Sequence, residues 1–600
     1  MAQFHVDRSL SPTGESTSQT TERPTERPTE ESTKQPTKRP TGQPIEQATR
    51  LPTTDVPIQT RAPTARPTPT VLVPTKAPTR TPTATPTRTT AVTPGPVPVG
   101  VPTVAPTRTP TAAPTRTSAV TPAPVPIVLT TAPTRTPTAV PTRTTVSPLT
   151  AAPTSPSSSR ATRIQQDLVQ VTAESTLLDS TTAQGQAMQW LINNDPAQVE
   201  PSTYAPFRQR YSLATLYFSA SGDGWTLNSN WLRDVQLCSW ELISCDQDDD
   251  AVTQIQLVGN NLVGSLPAEL RLLTGLLSID ISLNEVSGSI PSSLFGELSS
   301  LRVFRSHNAR LSGGLPESIG QATALRELDV TGNEITGSIP SSVGTMGNLT
   351  QLFLGLNDLQ GTIPSEVGRL KLSHLSVFQN DLEGTIPGEL FSVTTLRRLA
   401  LSNNRLSGSL SNGLGNLRGL QELYLDDNQF SGSVPLFFGL LTNLIDVSFA
   451  RNALTGTIRD SYSRWFALES IEFANNQLTG AIPSGLFSLP EIRTIRLENN
   501  SFDGTIPPSF GNARQLETLS LQENLLSGTV PAVGIMALES LRELQLFDNQ
   551  LSGSIPESLC ELVADGALEE LSADCGGVRA PRIDCPCCTV CFDPSSSNRS

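Results

Sequence analysis

Eight cysteines are the residues whose type and spacing point most directly to a chemistry. Two lie in the segment CSWELISC, at Cys238 and Cys245. The other six lie near the carboxyl end, at Cys560, Cys575, Cys585, Cys587, Cys588 and Cys591. Closely spaced thiols form disulfides in oxidising compartments or bind zinc. The run CPCCTVC lacks the regular ligand pairs of a zinc site and has no histidine nearby. The sequence therefore favours disulfides among these six, in a pairing it does not select, with a zinc cluster and free thiols as alternatives.

The chain offers no motif with a recognisable catalytic role. Its three histidines, His5, His307 and His374, belong to no nucleophile motif. A glycine-rich phosphate loop and a kinase signature are both missing from the sequence. We therefore predict a protein that is not an enzyme and that uses neither a cofactor nor a metal.

The elements that position candidate binding residues come from one pattern repeated thirteen times between 252 and 559. The pattern is LxxLxLxxNxLxGxIP, as in the copy from Leu325 to Pro340. Successive copies lie about 24 residues apart, and the third carries Ala309 where the others carry asparagine. The asparagines are Asn260, Asn284, Asn333, Asn357, Asn380, Asn404, Asn428, Asn452, Asn476, Asn500, Asn524 and Asn549. A fixed period of this size predicts a solenoid, because no single copy can bury its apolar face alone.

Each position of the pattern has a physical role. The LxL segment predicts a short strand whose apolar residues point inward while their neighbours point to solvent. The asparagine amide both donates and accepts, so it can pair turn backbone groups within its own coil and the next. The glycine permits a tight bend, and the Ile-Pro pair ends that segment. A later apolar pair, such as Leu294 and Phe295, is expected to close the core on the outer side.

The motifs together resemble those of plant-type leucine-rich repeat proteins. The resemblance covers residues 204–591 and rests on the LxGxIP ending and on Asn230-Trp231 followed by CxWxxxxC. It implies an α/β leucine-rich repeat solenoid, a right-handed superhelix with a parallel sheet on its concave face. It also implies a disulfide between Cys238 and Cys245. With its cysteine-rich tail, the chain is most similar to extracellular, receptor-like members of algal or diatom type, without a kinase domain.

Composition divides the chain into four segments. These are a disordered Pro/Thr-rich stalk over 1–160, a helical linker and N-terminal cap over 161–251, the repeats over 252–559, and a cysteine-rich cap and tail over 560–600. Apolar spacing predicts two short helices between 164 and 193 and a longer one over 206–219.

Charge separates the stalk from the repeats. Residues 61–160 hold ten Lys or Arg and no Asp or Glu, whereas residues 201–600 carry a net charge of −19. The acidic repeats argue against a nucleic acid partner, since phosphates need a basic face. The basic stalk is suited to a polyanion such as wall polysaccharide.

Several features bear on the compartment. The sequence has no apolar run of 18 residues and no leader-like segment at its start. The cysteines nevertheless favour an extracellular or cell-surface location, with a leader or anchor outside this chain and an intracellular location as the alternative. Sequons predict glycosylation at Asn348 and Asn499.

The residues six, four and two positions before each repeat asparagine face solvent from the concave strands and are free to serve a ligand. In copies five to eight they include aromatic and charged side chains: Phe353, His374, Phe378, Arg398, Glu422, Tyr424 and Asp426. Large aromatics at solvent-facing strand positions are enriched at binding sites. Incidental packing is the alternative interpretation. A second group, Asp280, Arg305, His307 and Asp329, is equally consistent with ion pairs across strands.

These features predict a non-catalytic recognition protein that binds a protein or peptide ligand on its concave face. The first alternative is a secreted inhibitor of a wall-degrading enzyme, similar to the polygalacturonase inhibitors. The second is a structural protein of the cell wall or matrix.

Overall fold

A computed structural model describes residues 159–201, 205–248, 251–576 and 583–593. The predicted stalk up to residue 158 and the tail beyond 593 lie outside the described residues.

The LxL segments form the main sheet of the solenoid, which we call the concave sheet. It has sixteen strands in chain order; the first pair is antiparallel and every later pair is parallel. The apolar centres of neighbouring strands stand in register, as Leu399, Leu423 and Val447 do. The strands are Ile243–Cys245, Val252–Gln256, Ser278–Asp280, Val303–Arg305, Glu327–Asp329, Gln351–Phe353, His374–Ser376, Arg398–Ala400, Glu422–Tyr424, Asp446–Ser448, Ser470–Glu472, Thr494–Arg496, Thr518–Ser520, Glu543–Gln545, Glu570–Ala573 and Val590–Cys591. The predicted α/β repeat solenoid with a parallel sheet is confirmed.

A second parallel sheet of eleven strands follows the asparagine turns, and the sequence did not lead us to expect it. Its strands end near the glycine of LxGxIP, which takes a left-handed conformation such as φ +74° at Gly432, where a side chain would be strained. The strands are Val263–Ser265, Glu285–Gly288, Arg310–Gly314, Glu334–Gly337, Asp358–Gly361, Asp381–Gly384, Arg405–Ser409, Gln429–Ser433, Ala453–Gly456, Gln477–Gly480 and Ser501–Phe502. Two further short pairs join Ser527–Gly528 to Gln550–Leu551 and Gly553–Ser554 to Ile583–Asp584.

Short helices form the outer side of the coils, mostly directly after the proline of LxGxIP. Proline suits this place because its φ is fixed and because the backbone N–H that it lacks would have no hydrogen-bond partner within the helix. The predicted outer pair Leu294 and Phe295 is fully buried there. The 3-10 helices of the repeats are Ala268–Leu272, Glu317–Gln321, Ser341–Thr345, Ser365–Arg369, Gly388–Ser392, Asn412–Asn416, Leu436–Leu440, Asp460–Arg464, Ser484–Ser488, Pro508–Asn512 and Ile535–Ala537, and the α-helices are Ser292–Glu297 and Glu557–Ala564.

The repeat asparagines form a hydrogen-bond ladder along the core. Asn452, for example, donates to the carbonyls of Leu425 and Phe449 at 3.0 and 3.1 Å and accepts from the Phe430 amide at 2.9 Å. Each amide thus joins its own coil to the preceding coil, and not to the next one as expected. Asp574 closes the ladder, because its carboxylate accepts from the Asp548 and Asn549 amides.

The N-terminal segment is a packed cap and not a linker. In place of two short helices it forms three, Arg160–Leu168, Glu174–Leu178 and Ala183–Asn193, followed by the expected longer helix, here Ala205–Ser219. Their apolar residues join the core of the solenoid. Glu269 of the first repeat fixes them in place: its carboxylate accepts from Thr172 at 2.9 Å and from Gln184 at 3.0 Å. The spacing suggested a linker because the partner surface lies on a repeat almost a hundred residues later.

All eight cysteines lie in described residues and are paired. Cys238 bonds Cys245, the pairing implied by the family resemblance. The C-terminal bonds join Cys560 to Cys587, Cys575 to Cys591 and Cys585 to Cys588. The sulfurs of Cys575, Cys585 and Cys588 lie within 4.8 Å of one another, which is close enough to share a metal, but each belongs to a disulfide.

Candidate functional site

The solvent-facing positions of the concave sheet carry the candidate residues. Leu352, Leu375, Leu399 and Leu423 are fully buried at the centres of four adjacent strands. The seven predicted site residues lie on these same four strands or directly after them and are all partly exposed. The strand alternation therefore places them together on one face, and we call the group the aromatic patch.

The first half of the aromatic patch is an apolar surface built around a glycine. The rings of Phe353 and His374 lie 6.0 Å apart. A side chain at Gly355 would come within 2.4 Å of the Phe378 ring, so the absence of a side chain there lets this ring lie across the neighbouring strand. Gly355 occupies the solvent-facing position two residues before its repeat asparagine. Sequence reasoning passed over it because glycine carries no functional group.

The second half of the patch is a cluster of charges around a tyrosine. The Arg398 guanidinium pairs with Glu422 and lies 5.3 Å from the centre of the Tyr424 ring, a cation–π distance. The Tyr424 hydroxyl donates to Glu422 at 3.3 Å. Asp426 accepts a 2.6 Å hydrogen bond from Ser402. Arg398 and Glu422 thus satisfy each other and hold the tyrosine in place.

The side chains of His374 and Tyr424 are both uncharged near pH 7. Burial, assisted by the charge of Arg398, lowers the pKa of His374 below its ordinary value. Burial raises the pKa of Tyr424, with a further contribution from Asp446. The patch therefore presents an uncharged imidazole and an uncharged phenol beside the Arg398–Glu422 pair, an arrangement suited to recognition.

Sequence reasoning missed a second set of residues, in copies nine to eleven. Asp446, Glu472 and Glu498 lie on three successive coils, each two residues further along its chain segment than the one before. We call this line across the sheet the acidic diagonal. Burial raises the pKa of all three carboxyls. The signal was present at the same three solvent-facing positions, but the aromatic residues drew attention to copies five to eight.

The second charged group behaves as an ion-pair network. Arg305 lies between Asp280 and Glu327, at 3.6 and 2.6 Å. His307 lies 3.6 Å from Asp329. These contacts between adjacent strands fit the interpretation that the group stabilises the sheet.

Both sequon asparagines are accessible. Asn348 is exposed, and its amide donates to the Thr323 carbonyl. Asn499 is exposed in a left-handed turn and donates to Asn475 across neighbouring coils. Glycosylation at either residue stays a prediction.

Comparison with known proteins agrees with the repeat architecture. The family described as "Leucine rich repeat" matches residues 490–551, and a second family of the same description matches residues 324–346, 395–417 and 419–441. A "PT disordered repeat" family matches residues 19–54.

Two curated relatives are plant receptor-like proteins. The chain is 35% identical over 89 residues to Receptor-like protein 3 of Arabidopsis thaliana and 33% identical over 93 residues to Receptor-like protein 50 of the same plant. Each match covers 15% of this chain and only 12% or 10% of the relative.

Solved structures extend the similarity to a larger part of the chain. The plant peptide hormone receptor RGFR1, in complex with RGF2, is 32% identical with a TM-score of 0.51 over 56% of this chain and 51% of the receptor. A TDR receptor is 30% identical with a TM-score of 0.50 over 56% of this chain and 60% of that one. Among the described residues no helix combines the length and apolarity that crossing a membrane requires. The repeats and their two sheets give the chain a leucine-rich repeat fold, and over part of its length it is similar to plant receptor-like proteins and to the leucine-rich repeat domains of plant receptors.

Proposed function

We propose that this protein is a non-catalytic, receptor-like recognition protein whose aromatic patch binds a peptide or protein ligand. The observation that carries the proposal is the grouping of Phe353, Phe378 and Tyr424, partly exposed, within four consecutive strands of a sheet that needs no aromatics there. The similarity to a peptide hormone receptor solved with its ligand supports this class of partner.

The surroundings of the aromatic side chains fit a protein-binding surface. Interface hot spots are enriched in aromatic residues and arginine, and a polar rim limits the access of water to them. Here Arg398, Glu422 and Asp426 border the rings. Aromatic side chains have few rotatable bonds, so they lose little conformational entropy when a ligand covers them.

An extracellular or cell-surface location accompanies this function in our proposal. Four disulfides in one chain favour an oxidising compartment. The basic segment over 61–160, which lies outside the described residues up to residue 158, is proposed to contact polyanionic wall material.

Selection of displayed random peptides on the full chain tests the function. Peptides that bind the wild type are then measured by calorimetry against Phe378→Ala and Tyr424→Ala. Each change is expected to weaken binding by about 1–3 kcal/mol, the usual loss at a hot spot. Thermal stability should change far less, because surface substitutions usually stay within about 0.5 kcal/mol.

Gln256→Ala and Gln545→Ala, at the two ends of the repeats, are the matched controls and should leave binding unchanged. Loss of binding in these controls but not in the aromatic variants would place the site elsewhere and refute the proposal.

A further inference from the structure

The three carboxylates of the acidic diagonal carry more negative charge than the free cations beside them balance. Among the described residues, neither Asp446, Glu472 nor Glu498 has a Lys, Arg or His nitrogen within the 4.0 Å of an ion pair. The nearby arginines are otherwise engaged: Arg398 with Glu422, and Arg451 with Asp427. Arg496, in register with Glu472 and two residues before Glu498, is the one nearby arginine without an ion pair among the described residues, and its charge opposes the effect of burial on the pKa of both carboxyls.

Unpaired polar atoms beside the diagonal provide an independent sign of a missing partner. The Ser448 side chain is 5% exposed, and its hydroxyl makes no hydrogen bond. Ser448 stands in register with Glu472 and two residues after Asp446, so it lies between the first two carboxylates. One carboxylate oxygen of Glu498 is likewise buried without a partner. Buried polar groups are normally hydrogen-bonded, so such a group at a surface indicates a place that a ligand completes.

Small side chains lie between the carboxylates on this part of the sheet. Ser448, Ala450, Ser470 and Ala474 occupy the solvent-facing positions around the carboxylates. All four side chains are at most 5% exposed, so the longer carboxylate side chains beside them form the accessible surface there.

The spacing of the carboxylates decides the kind of cation. Each step of the diagonal crosses one strand and advances two residues, which is about 8 Å between Cα atoms. The carboxylate oxygens of the three residues are not gathered around one point, since among the described residues only the cysteine cluster brings three ligand atoms within 4.8 Å of one another. An extended peptide places alternate side chains on one face about 7 Å apart. Long, flexible Lys or Arg side chains can span the remaining difference.

We propose that the acidic diagonal binds an extended, cationic segment of the ligand, with Lys or Arg at alternate positions. The inference rests on the proposed function, since it assigns the chemistry of a segment that continues from the aromatic patch. The segment would lie across copies nine to eleven, donate to the carboxylates and pair the hydroxyl of Ser448. A ligand would therefore need cationic side chains for the acidic diagonal as well as an apolar group for the aromatic patch.

Two synthetic peptides test the inference with the full chain by fluorescence anisotropy. One carries an aromatic residue at one end and arginine at alternate positions, and the other has glutamine in place of each arginine. The triple variant Asp446→Asn, Glu472→Gln, Glu498→Gln is expected to bind the arginine peptide at least about tenfold more weakly, since each exposed ion pair is worth up to a factor of about five. Binding of the glutamine peptide should not change.

The matched control removes the same three charges from the second sheet. It carries Glu334→Gln, Asp358→Asn and Glu383→Gln, at exposed residues remote from the concave face. This variant is expected to bind both peptides within about twofold of the wild type, a difference below the effect of one ion pair. Circular dichroism of both triple variants establishes that they are folded.

The outcomes separate this inference from the proposed function. Equal binding of the two peptides by the wild type, or equal loss in both triple variants, overturns the inference. Saturable calcium binding that the first triple variant loses would overturn it in favour of a metal site. If Phe378→Ala weakens the binding of both peptides while the first triple variant weakens the binding of neither, the proposed function stands and the cationic segment is rejected.

Discussion

Buried charges form ion pairs in the N-terminal cap, whereas the partly buried carboxylates of the acidic diagonal do not. In the cap, Arg210 and Asp195 are 1% and 0% exposed and lie 2.7 Å apart. The guanidinium also donates to the Val235 and Asp234 carbonyls, and it lies 5.4 Å from the ring centres of both Trp190 and Trp240. The Asp195 carboxylate accepts from the Ala197 amide as well.

On the acidic diagonal the carboxylates are only partly buried, yet they have lost much of their hydration without gaining an ion pair. This difference distinguishes a charge that stabilises the fold from a charge that can bind a ligand. A completely buried charge must be paired and hydrogen-bonded for the fold to tolerate it. A partly buried carboxylate without a cation costs stability in the free protein and can recover that cost when a partner arrives.

Breaking the buried pair should have the largest effect. Arg210→Leu leaves the buried Asp195 charge with only its longer, 3.9 Å contact to Arg160, so the cap is expected to lose about 3–5 kcal/mol of stability. Four of the five tryptophans lie in the cap, so denaturant unfolding followed by tryptophan fluorescence reports on it directly. Arg310→Leu, which breaks an exposed pair with Glu285, is the control and should cost less than about 1 kcal/mol. Equal effects of the two changes would show that the cap pair is not structural.

Opening the cap disulfide should have a smaller effect on the same region. Replacing Cys238 and Cys245 together by serine releases a short loop, whose closure contributes about 2–3 kcal/mol. The tryptophan transition should therefore shift to lower denaturant while the far-ultraviolet transition of the repeats shifts little. Peptide mapping without reduction tests the bond itself, and detection of both residues as free thiols would contradict it.

Neutralising the acidic diagonal should have the smallest effect on stability, with the opposite sign. Burial raises the pKa of Asp446 and Glu472, so the folded protein holds these protons more tightly than the unfolded chain does. Unfolded carboxyls titrate near about pH 4, and the stabilising contribution is present below that pH and is lost as pH rises through the folded-state pKa. At pH 7, Asp446→Asn and Glu472→Gln should therefore leave stability unchanged or raise it by up to about 1 kcal/mol.

Glu422→Gln sharpens the comparison, because Glu422 has Arg398 as its ion-pair partner. Its loss at pH 7 should lower stability by a few tenths to about 1 kcal/mol. Thermal midpoints at pH 4 and pH 7 measure both effects. A clear destabilisation by Asp446→Asn at pH 7 would mean that this carboxylate already has a favourable partner in the fold.

Because the sequence is repetitive, it predicts the core-facing positions and the asparagine ladder of this structure. The period of the pattern determines which residues face the core, and it therefore predicts that Phe353, Phe378 and Tyr424 lie on one surface. The asparagine ladder could be anticipated for the same reason, because one amide recurs at one turn in almost every copy. Local spacing is sufficient when each unit packs only against its neighbours.

Tertiary structure alone decided the features that depend on distant or non-repeating partners. The cap helices pack on Glu269 and around the Arg210–Asp195 pair, contacts that no periodicity connects. The C-terminal disulfide pairing depended on how a single, unrepeated segment folds. The acidic diagonal was spelled out in the sequence as Asp446, Glu472 and Glu498. Its lack of ion pairs follows only from the stacking of the coils, because electrostatic balance depends on distances between coils and not on spacing along the chain.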